Sequence, residues 1–376
     1  MKIVTQLLYF IVFTFGFYQT IGATTYEIYI PSWTLNPSCN DCSIGWPICE
    51  FSWSNNTYAT ICFADFTFPG NNSINGVTAN GEDVSSMIPG IVSYVHNLNG
   101  KVKISFGGSG GGYHLWDVSG WNDFTPNGAG TNIITNLGSI VRTYSLDGID
   151  LDFEGDVTNV SPSYLLNFLQ QLQAYFGYYA DLHTKIISLT MPSQFIGFPD
   201  SWGPLVTGVN NNGNGAAHYV DYVNFMEYCN AYPDISNNGN NALPPVVESD
   251  INSYITYLPY NKMGLGMSVE NCSGGTVILT TDQASELSAF ANSNGLANVF
   301  LWDITQEINS TGIACPIAQG TLFNQMFPYS ATIINNLNTS LTKTEYAQIK
   351  FKPGARVYTG FNPTATSPDF EHDPNN

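Results

Sequence analysis

The chain has 376 residues, 14% aromatic and only 10% charged, with ten basic against 29 acidic side chains and a net charge of −19. That length supports one large domain, or two smaller ones, with a sizeable core, and the aromatic content excludes a disordered chain. The acidity argues against nucleic acid or anionic membrane as partners, whereas a neutral ligand such as a sugar is indifferent to it.

The first element runs from Lys2 through an apolar stretch to Phe17 and ends with small residues at Gly22 and Ala23. This is the shape of a secretory signal peptide, residues 1–23. No later run is apolar enough to span a bilayer. The mature protein is therefore expected to be secreted, clear of the membrane and monomeric, with a lysosomal or other endomembrane lumen as the alternative. Export agrees with six N-glycosylation sequons, beginning at Asn55, Asn71, Asn159, Asn271, Asn309 and Asn338. Seven cysteines, an odd number, leave at least one thiol free or paired between chains. Cys39-x-x-Cys42 followed by Cys49 lacks the second pair or spaced histidines of a zinc site. The expectation is a disulfide-tied loop with no metal and no cofactor.

Eight strand-like runs then recur, at 25–30, 58–66, 101–108, 146–154, 185–192, 219–228, 262–269 and 297–304. Their spacing approximates that of an eight-unit βα barrel, and most are near-continuously apolar, as parallel strands covered on both faces should be. Helical patterns lie at 81–100, at 161–183 after a Ser-Pro start, and at 280–295 between a Thr-Asp start and a Gly stop. The segment 31–57, with its cysteines and tryptophans, reads as an irregular loop. The fold class is α/β, a single-domain (β/α)₈ TIM barrel over residues 24–330. The gap between strands 7 and 8 is too short for an inserted α+β subdomain. Residues 331–376 form a tail, disordered in part.

The fourth run, SLDGIDLDFEGD, sets carboxylates among residues that want burial. Strand alternation places Asp150, Asp152 and Glu154 on one face and Ile149, Leu151 and Phe153 on the other. Pointed at a barrel axis, acids about 6.5–7 Å apart couple their titrations, and at least one pKa must rise. Glu154 stands at the strand's C-terminal end, where such barrels carry their active sites, so it is the candidate general acid. Asp147 has the opposite parity and precedes Gly148, which suits a turn or cap better than chemistry.

Residues 147–154 fit the D-x-x-D-x-D-x-E pattern, and with it the chain resembles the family 18 glycoside hydrolases, the chitinase-like family. Ser105, Gly107 and Gly108 resemble that family's S-x-G-G, Met226 and Tyr228 its M-x-Y, Trp302 its eighth-strand tryptophan and Tyr29 its first strand. The resemblance implies a retaining hydrolase of β-1,4-linked N-acetylglucosamine whose nucleophile is the substrate's own acetamido oxygen. It implies that Glu154 protonates the glycosidic oxygen and later activates water. Asp152 would hold the acetamide N–H and share a proton with Asp150. Tyr228 would bond the acetamide carbonyl, and Trp302 would form the floor under the sugar. Met226, Tyr29 and Gly108 complete the expected substrate-binding set.

Blander roles weigh against several of these residues. Met226 and Phe63 suit core packing, Tyr29 either core or substrate, and Ser105 with its glycines a close approach of backbones. Trp33, Trp116, Trp121 and Trp202 suit loop packing as well as sugar platforms. His114 and His218 are left structural. Family chitinases usually carry Asp or Asn after the sixth-strand tyrosine, where this chain has Cys229. An endo-acting chitinase is the first reading. An endo-β-N-acetylglucosaminidase acting on N-glycans and a non-catalytic chitin-binding lectin are the alternatives.

Overall fold

The computed structural model describes residues 23–35, 42, 44–66, 77–79, 82–83, 85–108, 120–153, 162–192, 215–228, 244–255, 258–269, 279–313 and 321–338. Its strands, in chain order, are β1 (Thr25–Pro31), β2 (Thr57–Phe66), β3 (Val77–Ala79), β4 (Glu82–Asp83), β5 (Lys101–Gly107), β6 (Gly148–Asp152), β7 (Ile186–Pro192), β8 (Tyr222–Met226), β9 (Met263–Ser268) and β10 (Asn298–Trp302). Eight of them pair in parallel in the order β1-β10-β9-β8-β7-β6-β5-β2, and pairing of β2 with β1 closes the ring. The result is the expected (β/α)₈ barrel. The pair β3 and β4 extends β2 as a small antiparallel appendage.

Alternation along each strand sorts the side chains into two environments. On the outer face, Ile149, Leu151, Phe153, Leu189, Phe225, Leu265 and Leu301 are buried in a continuous apolar layer. The helices α1 (Ile88–Asn97), α2 (Ala129–Thr143), α3 (Pro162–Tyr178), α4 (Pro244–Tyr254) and α5 (Thr281–Asn294) cover that layer, followed by α6 (Ile304–Thr311), α7 (Phe323–Met326) and α8 (Pro328–Asn338). The inner face is polar. Glu27, Thr60, Lys103, Ser105, Asp150, Asp152, Ser188, Thr190, Asn224 and Asn298 are all buried there. Barrel interiors are ordinarily filled by branched aliphatics, so this one is dedicated to something other than packing.

Element ends follow local chemistry. In α5, Thr280 Oγ1 accepts from the Gln283 N–H while Gln283 Oε1 accepts from the Thr280 N–H, and Gly295 closes the helix in a left-handed conformation. The α1 helix is shorter than its sequence pattern suggested. Pro89 sits in its first turn, and Glu82 and Asp83 are drawn into β4. The α8 helix carries structure past residue 330 as far as Asn338, because Ile333 and Leu337, four apart, bury one face. The 31–57 loop is tied by a Cys42–Cys49 disulfide, and Cys62 is a buried free thiol. Residues 1–22 of the expected signal peptide, the tail beyond 338, and Cys39, Cys229, Cys272 and Cys315 lie outside the described residues. Of the sequon asparagines, Asn55, Asn309 and Asn338 are exposed. No helix among the described residues is long and apolar enough to cross a membrane.

Candidate active site

β6 delivers Asp150 and Asp152 to the barrel axis, both buried. Glu154 lies two residues past the end of this strand and outside the described residues. Four hydroxyls converge on Asp150. Ser105 from β5 donates to Oδ2 at 2.7 Å and Tyr29 from β1 to the same oxygen at 2.9 Å. From β7, Ser188 donates to Oδ1 at 2.6 Å and Thr190 at 2.9 Å. Register makes this convergence possible, since Ser105, Asp150 and Ser188 are direct cross-strand partners. The β6 carboxylate is thus fixed in place by the two strands that flank it.

Burial pushes the Asp150 carboxyl above the ordinary carboxylate range, and Glu27 adds to the push. Lys103 and the hydrogen bonds from Ser188 and Ser105 oppose it. One level below, Lys103 from β5 forms a fully enclosed ion pair with Glu27 from β1, Nζ to Oε1 2.8 Å. Thr60 also bonds Glu27 Oε1, while Asn298 and Asn224 donate to Oε2 at 2.8 and 3.3 Å. Burial pushes the Tyr29 and Tyr222 hydroxyls and the Cys62 thiol well above their usual values, so all three stay protonated.

Above this polar layer lies an aromatic one. Trp302, at the end of β10, is half-buried and stacks on Phe63, with ring centroids 5.5 Å apart and planes 18° apart. Phe63 stacks in turn on Trp33, at 6.3 Å. Tyr29 meets Trp302 at 5.8 Å, and Tyr228 packs edge-on to Phe300 at 6.1 Å. Trp33 is 46% exposed, so the row of rings runs from the barrel axis out to solvent. Such faces stack on the apolar side of a sugar without needing charge. Both glycines of S-x-G-G are sterically required. A Cβ on Gly107 (φ +120°) would lie 1.9 Å from the Asp152 carbonyl oxygen, and one on Gly108 (φ +94°) would lie 2.8 Å from the Phe63 ring.

Most of the residues picked from sequence meet at one end of the barrel. Asp150, Asp152, Tyr29, Ser105, Met226, Tyr228, Trp302 and Gly108 are within or beside the cluster just described. Two take the packing role that the sequence also allowed. Tyr29 is enclosed, its hydroxyl donating to Asp150 and lying 2.8 Å from the Thr190 hydroxyl. Met226 packs with Tyr29, Cys62 and Phe300. Asp147 is a structural acceptor, taking the Val102 N–H at 2.8 Å and meeting His96 at 2.7 Å. Trp116, Trp202, His114 and Cys229 lie outside the described residues. Sequence reasoning missed Glu27, Lys103, Ser188, Thr190 and Asn224. A signal for the ion pair was visible, because TYEIYI and KVKIS each place a charge in the middle of an apolar strand. Among the described residues, no group of three or more His, Cys, Asp or Glu side chains is arranged to hold a metal ion.

The family model for Glycosyl hydrolases family 18 matches residues 27–272. No curated protein sequence matches the chain. Among solved structures, it is similar to a class V chitinase from Nicotiana tobaccum in complex with NAG4, at 15% identity and a TM-score of 0.59, covering 85% of this chain and 100% of that one. It is also similar to active domain 2 of a chitinase from Pyrococcus furiosus, at 18% identity and a TM-score of 0.54, covering 85% and 97%. The multi-modular chitinase ChiW from Paenibacillus sp. matches at 14% identity and a TM-score of 0.54, covering 84% of this chain; the match spans only 43% of ChiW.

Proposed function

Because the chain belongs to glycosyl hydrolase family 18 and is a glycoside hydrolase of chitinase type, we propose that it is an exported, endo-acting enzyme cleaving β-1,4-linked N-acetylglucosamine in chitin or chitooligosaccharides. The reaction retains the anomeric configuration, and the nucleophile is the substrate's acetamido oxygen. Glu154 is the acid and then the base. Asp152 holds the acetamide N–H and shares a proton with Asp150, Tyr228 bonds the acetamide oxygen as it attacks, and Trp302 supports the sugar. The observation that carries this reading is the enclosed Asp150, held by four hydroxyls within 2.6–2.9 Å directly beneath the Tyr29–Trp302 ring contact. So immobilised an acid serves to set the protonation of its neighbour Asp152. Export is supported by the signal-like residues 1–23 and by the Cys42–Cys49 disulfide, which suits an oxidising compartment.

The test pits the mature protein against chitotetraose and a high-mannose glycopeptide, with Glu154→Gln as control and products resolved by mass and anomer. Chitobiose released as the β-anomer, and absent with the variant, is the expected result. Cleavage of the glycopeptide alone would move the substrate to N-glycans. Binding without products would leave a lectin.

A further inference from the structure

Lys103 is completely enclosed at the barrel floor, and its surroundings determine where protons go. An ammonium donates three hydrogen bonds and accepts none. The three acceptors here are Glu27 Oε1 at 2.8 Å, Ser188 Oγ at 2.8 Å and Tyr222 Oη at 3.0 Å. Ser188 must therefore accept from Lys103, and its single proton is left to donate. Asp150 Oδ1 stands at 2.6 Å, while the competing acceptor, the Ile149 carbonyl, is 3.5 Å away. We propose that Lys103 is a positioning residue for the acidic strand: anchored by Glu27, its ammonium commits the Ser188 hydroxyl to Asp150 and holds that side chain as a carboxylate, so that the proton shared by the two aspartates resides on Asp152.

The groups facing Asp150 support this assignment. They are Glu27 and Tyr29 from β1, Cys62 from β2, Lys103 from β5, Asp152 on β6 itself and Tyr222 from β8. Tyr29, Cys62 and Tyr222 are neutral, and Glu27 and Asp152 are acids. Lys103 is the cation of the set. It acts on Asp150 in two ways, directly through its charge and indirectly through the hydroxyl it orients. Glu27 fixes the ammonium but its own charge opposes the Asp150 carboxylate. Removing either member of the ion pair therefore moves Asp150 in opposite directions. A purely structural role for the pair would not produce that sign reversal.

The part of the inference that places a proton on Asp152 rests on the hydrolase reading, so the experiment has an arm that needs no activity. In protein labelled with carboxyl-13C aspartate, the Asp150 resonance is identified by its loss in Asp150→Asn, and its midpoint is followed with pH. Lys103→Met is expected to raise the midpoint by about one pH unit or more. Ser188→Ala, which keeps the ion pair, raises it by less, and Glu27→Gln lowers it. Should Lys103→Met not fold with Glu27 left unpaired, the double variant Glu27→Gln/Lys103→Met removes both charges. It still raises the midpoint, because the lysine also acts on Asp150 through the Ser188 hydroxyl it orients. Midpoints that stay within error in Ser188→Ala and the folded lysine variant, or that move the same way in Lys103→Met and Glu27→Gln, would overturn the assignment. The second arm is the acid limb of kcat/KM on chitotetraose, which should follow the same order. Opposite midpoint shifts in a protein that cleaves nothing would uphold the role of Lys103 and sink the proposed activity. Cleavage by wild type with unmoved midpoints would do the reverse.

Discussion

Asp150 and Glu307 are carboxyl groups with no exposed side-chain surface, and their settings differ in kind. Asp150 lies inside the barrel with four hydroxyls and, through Ser188, a lysine. Glu307 lies on α6 outside the barrel, where Ser330 of α8 supplies its backbone N–H at 2.7 Å and its hydroxyl at 2.5 Å. That hydroxyl also meets the Tyr26 hydroxyl of β1 at 2.8 Å. Burial pushes Glu307 up to about 7, with the Ser330 hydrogen bonds pulling the other way. Burial thus raises both groups, and they differ in what opposes it: a cation and hydroxyl donors at Asp150, and hydrogen bonds from Ser330 and the Tyr329 backbone at Glu307. The first arrangement suits chemistry and the second fastens a helix to the barrel.

Exchanging each acid for its amide is the sharpest way to break this comparison. Asp150→Asn is expected to lower kcat/KM on chitotetraose by about a hundredfold or more, because it removes the charge around which the hydroxyls are arranged. Glu307→Gln should leave that rate within about twofold, since the amide oxygen can accept the Ser330 N–H and its NH₂ can donate to Ser330 Oγ. Equal losses in the two variants would mean that enclosure alone, not the surrounding donors, sets the role.

The next effect is one of stability against pH. A carboxyl raised from 4.5 to about 7 on folding holds a proton in the native state that the unfolded chain has already released. Native stability is therefore full below pH 4.5, falls as pH rises through the interval up to about 7, and levels above it. The loss is on the order of 3 kcal/mol. Urea unfolding across that interval should show this fall in wild type and a flatter profile in Glu307→Gln. A wild-type curve that rises with pH by a similar amount would contradict the assignment.

The smallest effect separates hydroxyl from ring. Tyr29→Phe retains the contacts with Phe300 and Trp302 and deletes one donor to Asp150. Turnover should fall by about tenfold, with only about 1 kcal/mol lost from folding stability. A larger loss of stability than of turnover would return Tyr29 to the core.

Much of this architecture could be read from the sequence, and for identifiable reasons. The eight strands are legible because each is apolar on the outward face and bounded by loop-forming residues. The acidic strand is legible because Asp150 and Asp152 alternate with Ile149, Leu151 and Phe153. Helix α2 could have been found as well, since Ile133, Leu137, Ile140 and Val141 follow helical spacing. It passed unnoticed because threonines, asparagines and glycines dilute the stripe. The interior network is harder. Glu27 and Lys103 are 76 positions apart and meet only because barrel closure brings β1 and β5 to either side of β2. No local pattern encodes that meeting. Ser188, Thr190 and Asn224 look like ordinary strand polar residues until the registers of β6, β7 and β8 align them.

Closure also bears on how the chain is made. β1 pairs with β2, which follows it closely, and with β10, whose register begins Thr25 opposite Asn298. During synthesis, the first strand must wait with one edge unpaired until about 270 further residues have emerged. β9 waits in the same way for its outer neighbour. An unpaired edge is a template for other chains. A nascent or proteolysed chain ending before residue 298 thus presents two such edges at once, and the short strand Asn298–Trp302 removes both. The strand that ends in Trp302 is in this sense also the protein's safeguard against self-association.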